Sequence, residues 1–334
     1  MTGPVITVIV PVYNGAEMLS RCLEALFQSR GVEWECIVVN DGSTDDSAAV
    51  AQRWGARVIP SEYPRSGPGR ARNIGAALAT TPLLCFIDAD VRVRPDTLSD
   101  FVALFDADEG LAAAFGSYDT NPTHPGLLSQ YRNLVHHYVH QTGLESASTF
   151  WSGCGAIRTS IFLEHGGFDP AYTRPSIEDI ELGYRLRADG ENIRLAKHIQ
   201  VTHMKRWTLW GILVTDIRDR ALPWTSLIRR TRHLPNDLNL QRSGRASAVS
   251  VFMLGMLSVF GFLRPAAWLA IPLPISVLLS CNRGLYAFFL RQRGPMFLLG
   301  AMPMHWLYFA YSTLAFVWAM VTGGISDRWK RSRG

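Results

Sequence analysis

Along the first ninety residues the apolar positions change period several times. Residues 5–11 form a near-continuous β-branched run, the pattern of a strand buried on both faces. Residues 17–28 then place Met18, Cys22, Ala25 and Leu26 at helical spacing. The same reading predicts strands over 34–40, 57–60 and 83–88, and helices over 45–54 and 69–80. Strands alternating with helices through short loops predict an α/β domain with a mostly parallel sheet and right-handed crossovers. Ligands of such sheets sit beyond the carboxyl ends of the strands. Residues 11–14, 41–43 and 88–90 all fall there.

The pattern changes after His203. Residues 1–204 are expected to form the globular domain. Residues 205–245 combine Trp207, Trp210 and Trp224 with Arg206, Arg218, Arg220, Arg229 and Arg230, which suits amphipathic helices at a membrane interface or surface helices covering the globular domain. Residues 246–324 are expected to be membrane-embedded, and 325–334 form a basic tail. The runs 246–263 and 265–281 are separated only by Arg264, and each is slightly short for a hydrocarbon core of about 30 Å. Residues 295–321 are long enough to span. The positive-inside rule asks for Arg242/Arg245, Arg283–Arg293 and Arg328–Arg333 on one side. Two short spans and one long one would instead leave the last patch opposite. Re-entry of 246–281, a break at Pro303 or a violation of the rule would each resolve this.

A length of 334 residues suggests about two units. The five cysteines (Cys22, Cys36, Cys85, Cys154, Cys281) lack a Cys-x-x-Cys pair and read as reduced thiols of a cytosol-facing protein. Residues 1–4 show no signal-peptide pattern. The net charge is +5, yet acidic residues thin out after Asp237 while Arg and Lys continue. That favours an anionic membrane surface over nucleic acid. The expected location is the inner (cytoplasmic) membrane, multi-pass, with the globular domain cytoplasmic.

Candidate chemistry lies at the strand ends. The apolar run 83–87 ends in Asp88-Ala89-Asp90, and residues i and i+2 of an extended segment point the same way. Two close carboxylates suit Mg²⁺ or Mn²⁺, which keeps water and takes up substrate phosphates. Solvated acids capping a strand would look alike. The turn Pro11-Val12-Tyr13-Asn14 and the stretch Asn40-Asp41-Gly42-Ser43-Thr44 could contact a base and ribose. The loop Gly67-Pro68-Gly69-Arg70-Ala71-Arg72-Asn73-Ile74-Gly75 opens a helix, where phosphates bind, and Arg70 or Arg72 could add charge. It departs from Gly-x-Gly-x-x-Gly at Arg72. His136 and His140 stand four apart without an apparent third ligand, and His305 lies in an apolar segment.

Together these segments, with Trp151–Ala156, Gly166–Asp169 and Ile177–Arg185, resemble a family 2 glycosyltransferase of the GT-A fold over residues 5–207. The resemblance implies that Pro11, Tyr13, Asn14, Asp41, Gly69, Arg72, Asn73, Asp88, Ala89 and Asp90 hold a nucleoside-diphosphate sugar, a UDP-sugar being favoured. Asp41 would read the base, and Asp88, Asp90 and His203 would belong to the Mg²⁺ or Mn²⁺ shell. Asp179, beside Glu178, would be the general base. Arg206 and Trp207 resemble the end of a Gln-x-x-Arg-Trp motif whose Gln position holds His203, and would contact acceptor or phosphate. The implied reaction is inverting transfer of a sugar to a hydroxyl of a lipid or lipid-linked saccharide. A polyprenyl-phosphate acceptor would make Asp179 redundant. A silent sugar-nucleotide sensor would tend to lose one of Asp88, Asp90 or Asp179.

Overall fold

The structure is a computed structural model that describes residues 3–231 and 242–322; Asp237 and the basic tail lie outside the described residues. Two compact units appear. One comprises Met1–Pro125 and His140–Arg206, the other Gly126–Val139 and Trp207–Gly334. Residues 126–139 group with the C-terminal helices although they lie within the sequence span 1–204.

The first unit is built on a mixed sheet of eight strands in the order β3-β2-β1-β4-β7-β6-β8-β5. Strands β1 (Ile6–Val12), β2 (Trp34–Asn40), β3 (Arg57–Pro60) and β4 (Leu83–Ile87) are parallel. Their crossovers are helices α1 (Ala16–Leu26), α2 (Ser47–Arg53) and α3 (Pro68–Ala77). The β-branched run of β1 pairs with β2 from Ile6↔Trp34 to Val12↔Asn40, so both strands end level.

Beyond β4 the expected parallel order gives way. After β5 (Val91–Arg92) and helix α4 (Thr97–Ala107) come β6 (Leu111–Tyr118), β7 (Cys154–Arg158) and β8 (Asn192–His203). Strand β7 is antiparallel to both β4 and β6, whereas β6 and β8 are parallel. The short β5 pairs antiparallel to the end of β8, with Val91 opposite His203. That pairing carries the histidine to the Asp-Ala-Asp end of β4. One core layer packs Leu19, Leu23, Leu98, Phe101 and Ile199 around the strands. On Phe86, Phe150, Phe162 and Phe168 pack edge-on or tilted, with Phe86–Phe168 centroids 5.2 Å apart.

In the second unit, helix α5 (Leu127–Thr142) contributes its first turns. Tyr131 and Leu134 form a core with Leu285, Tyr286, Phe288 and Phe289. The first unit completes its helices with α6 (Thr159–Glu164) and α7 (Glu178–Ala188). In the second follow α8 (Leu209–Val214), a π-helical turn (Thr215–Ala221), α9 (Leu222–Thr231) and α10 (Arg242–Gly261). A 3₁₀ turn (Pro265–Ala270) leads into α11 (Pro272–Cys281), and α12 (Arg283–Thr322) is the last element among the described residues. Gly294, at φ 79° and ψ 179°, breaks α12. That conformation is strained for any side chain, so 283–293 and 295–322 are separate helices. The break is at Gly294 and not at Pro303, which stays within helix.

Candidate active site

The loops after β1 and β2 are knitted together. Asn14 adopts φ 49°, a left-handed geometry that asparagine tolerates. Its backbone N–H donates to Ser43 Oγ at 3.0 Å, and its Oδ1 accepts from Thr44 N–H at 2.7 Å. Tyr13 is exposed, with Arg65 over its ring at 5.3 Å. Pro11 stays in strand β1, level with Val39. The Asp41 carboxylate is buried and accepts from Ser66 N–H, Ser66 Oγ–H and Gly67 N–H at 3.0–3.1 Å. A base contact there has to share the carboxylate with the loop that opens α3.

Two residues expected to face donor phosphates point inward instead. Arg72 is 3% exposed. Its Nη2 donates to Asp88 at 2.6 Å and its Nη1 to Glu178 at 3.1 Å. The guanidinium also lies over the Phe168 ring at 5.5 Å. Nε finds no acceptor among the described residues. Asn73 clamps the backbone of Phe168, donating to its carbonyl at 2.7 Å and accepting from its N–H at 2.9 Å. Gly69 lets α3 close on Phe168 and Glu178, which a Cβ would approach to 3.3 and 3.4 Å. The reason is periodicity: Gly69, Ala71, Arg72, Gly75 and Ala76 are the buried residues of α3, so its arginine must find carboxylates inside.

The acids therefore divide their tasks. Asp88 is tied to Arg72, and Ala89 packs against the core. Asp90 Oδ2 lies 3.6 Å from His203 Nε2. Burial opposes the Asp90 charge, but the neighbouring His203 imidazole and the Lys205 ammonium outweigh it, holding Asp90 below the usual carboxylate range. Tyr118 stacks on His203 with centroids 4.3 Å apart at 15°, and Trp151 meets Tyr118 edge-on at 4.9 Å. Among the described residues no three His, Cys, Asp or Glu side chains converge as a ready-made metal site. One carboxylate and one imidazole nevertheless fit Mn²⁺ or Mg²⁺, which complete their shells with water and substrate phosphates.

Asp179 stands at the start of α7, where its carboxylate accepts from Ser152 N–H at 3.2 Å and Ser152 Oγ–H at 3.3 Å. The helix can approach that closely because Gly183 has no side chain; a Cβ would lie 2.4 Å from Phe150 N. Beside it, buried Glu178 has its pKa raised, first by burial and then by Asp179, with Arg72 opposing. Asp88 feels both Asp90 and Asp179, which brings the three carboxylates into one electrostatic cluster. No sequence pattern signals the Arg72–Glu178 pair, Tyr118 stacked on His203 or Ser152 bound to Asp179; residues 118–124 and 152–155 read only as loops able to contact a sugar.

The remaining candidates fall outside this cluster. Arg206 is exposed at the end of the first unit. Trp207 begins the second, where its N–H donates to Ser129 Oγ and Arg132 lies over its ring at 5.5 Å. His140 Nδ1 pairs with Gly116 O at 3.1 Å, and His137 stacks on Phe288. His305 Nδ1 lies 3.3 Å from the Tyr286 hydroxyl.

The family profile for glycosyl transferase family 2 matches residues 7–166. The chain belongs to glycosyl transferase family 2. It is 29% identical over 224 residues to a validoxylamine A glucosyltransferase of Streptomyces hygroscopicus, covering 56% of this chain and 52% of the relative. An uncharacterized protein of Mycobacterium tuberculosis is 36% identical over 243 residues, covering 66% of this chain and 75% of that protein. The chain thus spans about half the length of the first of these relatives. Among solved structures, the Pyrobaculum calidifontis mannosyltransferase PcManGT, in complex with GDP-Man and Mn²⁺, superposes with a TM-score of 0.58 at 17% identity, covering 95% of this chain and 88% of that one. Residues 1–349 of Staphylococcus aureus TarS in complex with UDP-GlcNAc give 0.52 at 18% identity, covering 96% and 92%. These similarities establish the GT-A-type fold.

Proposed function

We propose that the protein is an inverting, metal-dependent glycosyltransferase that moves a hexose from a nucleoside-diphosphate sugar, UDP-linked by preference, to a hydroxyl of a lipid or lipid-linked saccharide at the cytoplasmic membrane face. The observation that carries this reading is Asp179. Its carboxylate is held by Ser152 at the edge of the cluster that contains Asp88, Asp90 and His203. A carboxylate so placed can take the proton of an attacking hydroxyl, and one displacement with a single base inverts the anomeric centre. A divalent ion held by Asp90 and His203 would neutralise the leaving diphosphate. Arg72 favours the ionised forms of Asp88 and Glu178 against burial, which raises both pKa values. The GDP-Man and Mn²⁺ bound to PcManGT support the donor class and cofactor, and the UDP-GlcNAc bound to TarS supports the donor class. Membrane attachment is supported, among the described residues, by two apolar segments long enough to cross a bilayer, Ser243–Gly261 and the part of Arg283–Thr322 beyond the break at Gly294.

The test is transfer by Asp179→Asn. The reading requires loss of sugar transfer with donor binding retained, and transfer by the intact protein with inversion at the anomeric carbon. Full activity of Asp179→Asn would favour a phosphate acceptor, which is already anionic.

A further inference from the structure

We propose that only the α10–α11 hairpin crosses the bilayer, and that the longest apolar helix, residues 295–322, stays on the side where the hairpin begins and ends. The proposal deepens the membrane reading and rests on it.

The hairpin has the dimensions of a two-way crossing. Ser243–Gly261 is 19 residues, about 28 Å as α-helix. The return through Pro265–Cys281, part 3₁₀ and part α, rises about the same, close to a hydrocarbon core of about 30 Å. Arg264 is the single charged residue between 246 and 281, and it sits at the turn. Around it Phe262, Leu263 and Leu269 are 79%, 75% and 84% exposed. So much apolar surface at the tip of a two-helix arm needs an apolar solvent.

Four serine hydroxyls along the hairpin are satisfied internally, as lipid demands. Ser247, Ser250, Ser258 and Ser276 each donate to a carbonyl one helical turn back. The tip closes on itself through Leu263 N–H and Arg264 N–H to Phe260 O, and Trp268 Nε1–H donates to Ser258 O. At the base Asn282 Nδ2–H joins the two legs by donating to Ser247 Oγ at 2.9 Å. Arg245 and Arg283 flank that base, and Arg291 and Arg293 follow in the short helix before the Gly294 break. Four arginines at the base against one at the tip place the base on the cytosolic side.

The helix 295–322 is apolar enough to span, but its neighbours are not. At mid-helix, the Tyr311 hydroxyl donates to Asp216 Oδ2 at 2.6 Å. Asp216 is also held bidentately by Arg132. The π-helical turn that carries Asp216 includes Arg218, Asp219 and Arg220. Four charges in seven residues cannot accompany a helix to the bilayer midplane without a large penalty. The helix therefore runs beside charged protein surface, and the C-terminal basic residues remain on the side of Arg283–Arg293. That resolves the conflict among the three basic patches.

The experiment introduces single cysteines into the full-length Cys281→Ser protein, as Arg264→Cys, Gln292→Cys and Gly334→Cys. A membrane-impermeant maleimide is applied to right-side-out and inverted vesicles of the expression host. The proposal requires labelling at 292 and 334 in inverted vesicles and at 264 in right-side-out ones. Labelling of 334 from the same side as 264 would show that 295–322 crosses. Labelling of 264 from the same side as 292, or only after detergent, would make the hairpin re-entrant. Either result overturns the proposal. Recovery of the protein in the soluble fraction would instead overturn the membrane reading beneath it.

Discussion

Replacing Arg72 by Met tests the carboxylate cluster most sharply, because it removes the cation and keeps most of the volume. The Arg72–Glu178 pair is 3% and 5% exposed, and breaking one partner of a buried pair costs about 3–5 kcal/mol. The bond to Asp88 adds less, since that carboxylate is 34% exposed and screened by water. For a unit of roughly 200 residues this corresponds to a fall in Tm of about 6–20 °C near neutral pH. The loss must depend on pH. Burial and Asp179 already raise the Glu178 pKa above its usual 4.5, and Arg72 opposes them, so its removal raises it further. Between 4.5 and the raised value the folded state holds a proton that the unfolded chain releases. Stability therefore falls as pH rises through that window, and at its acid edge, where Glu178 is protonated in both states, the variant loses least. Thermal unfolding of both proteins from the acid edge of folding to pH 8 measures this. Adding Glu178→Gln to Arg72→Met should restore part of the loss at neutral pH. A loss below about 1 kcal/mol, or one independent of pH, would refute the cluster as a coupled unit.

Three further outcomes follow from the geometry. Ser152→Ala removes one of the three hydrogen bonds that the Asp179 carboxylate accepts, from Ser152 N–H, Ser152 Oγ–H and Ile180 N–H, and should lower kcat about tenfold with little change in donor KM, roughly the worth of one hydrogen bond to a charged group; steady-state kinetics at varied donor would show it. Tyr118→Ala removes the ring stacked on His203 and should weaken Mn²⁺ binding about tenfold, in the range for groups that orient metal ligands, whereas Tyr118→Phe should leave it intact; Mn²⁺ titration followed by electron paramagnetic resonance distinguishes them. Gly183→Val drives a side chain into the Phe150 backbone and should destabilise the first unit by at least about 3 kcal/mol, read as a lowered urea midpoint.

Much of the first unit was legible from residue patterns. The strands over 34–40 and 57–60 stand where the pattern put them, and β1 and β4 differ by one residue at their ends. Buried parallel strands announce themselves as continuous β-branched runs. The antiparallel half did not: Leu111–Tyr118 is rich in alanine, and Asn192–His203 mixes Arg, Lys and His with apolar residues. Helix α5 gave no local sign that its first turns pack with residues 285–304, because its apolar stripe is indifferent to which core it meets. The chemistry was legible as residue types more than as partners. Arg72 could be read as cationic and helical, but only the fold brings it to Glu178, 106 residues away.

Whether this chain turns over a sugar nucleotide is decided by nucleotide release from detergent-purified protein with Mn²⁺ or Mg²⁺, across UDP-, GDP- and dTDP-sugars, with and without total membrane lipid. Release is expected from one donor, stimulated by lipid, dependent on metal and abolished by Asp90→Ala. Folded protein that releases nucleotide from no donor, or releases it equally well after Asp90→Ala, would contradict it.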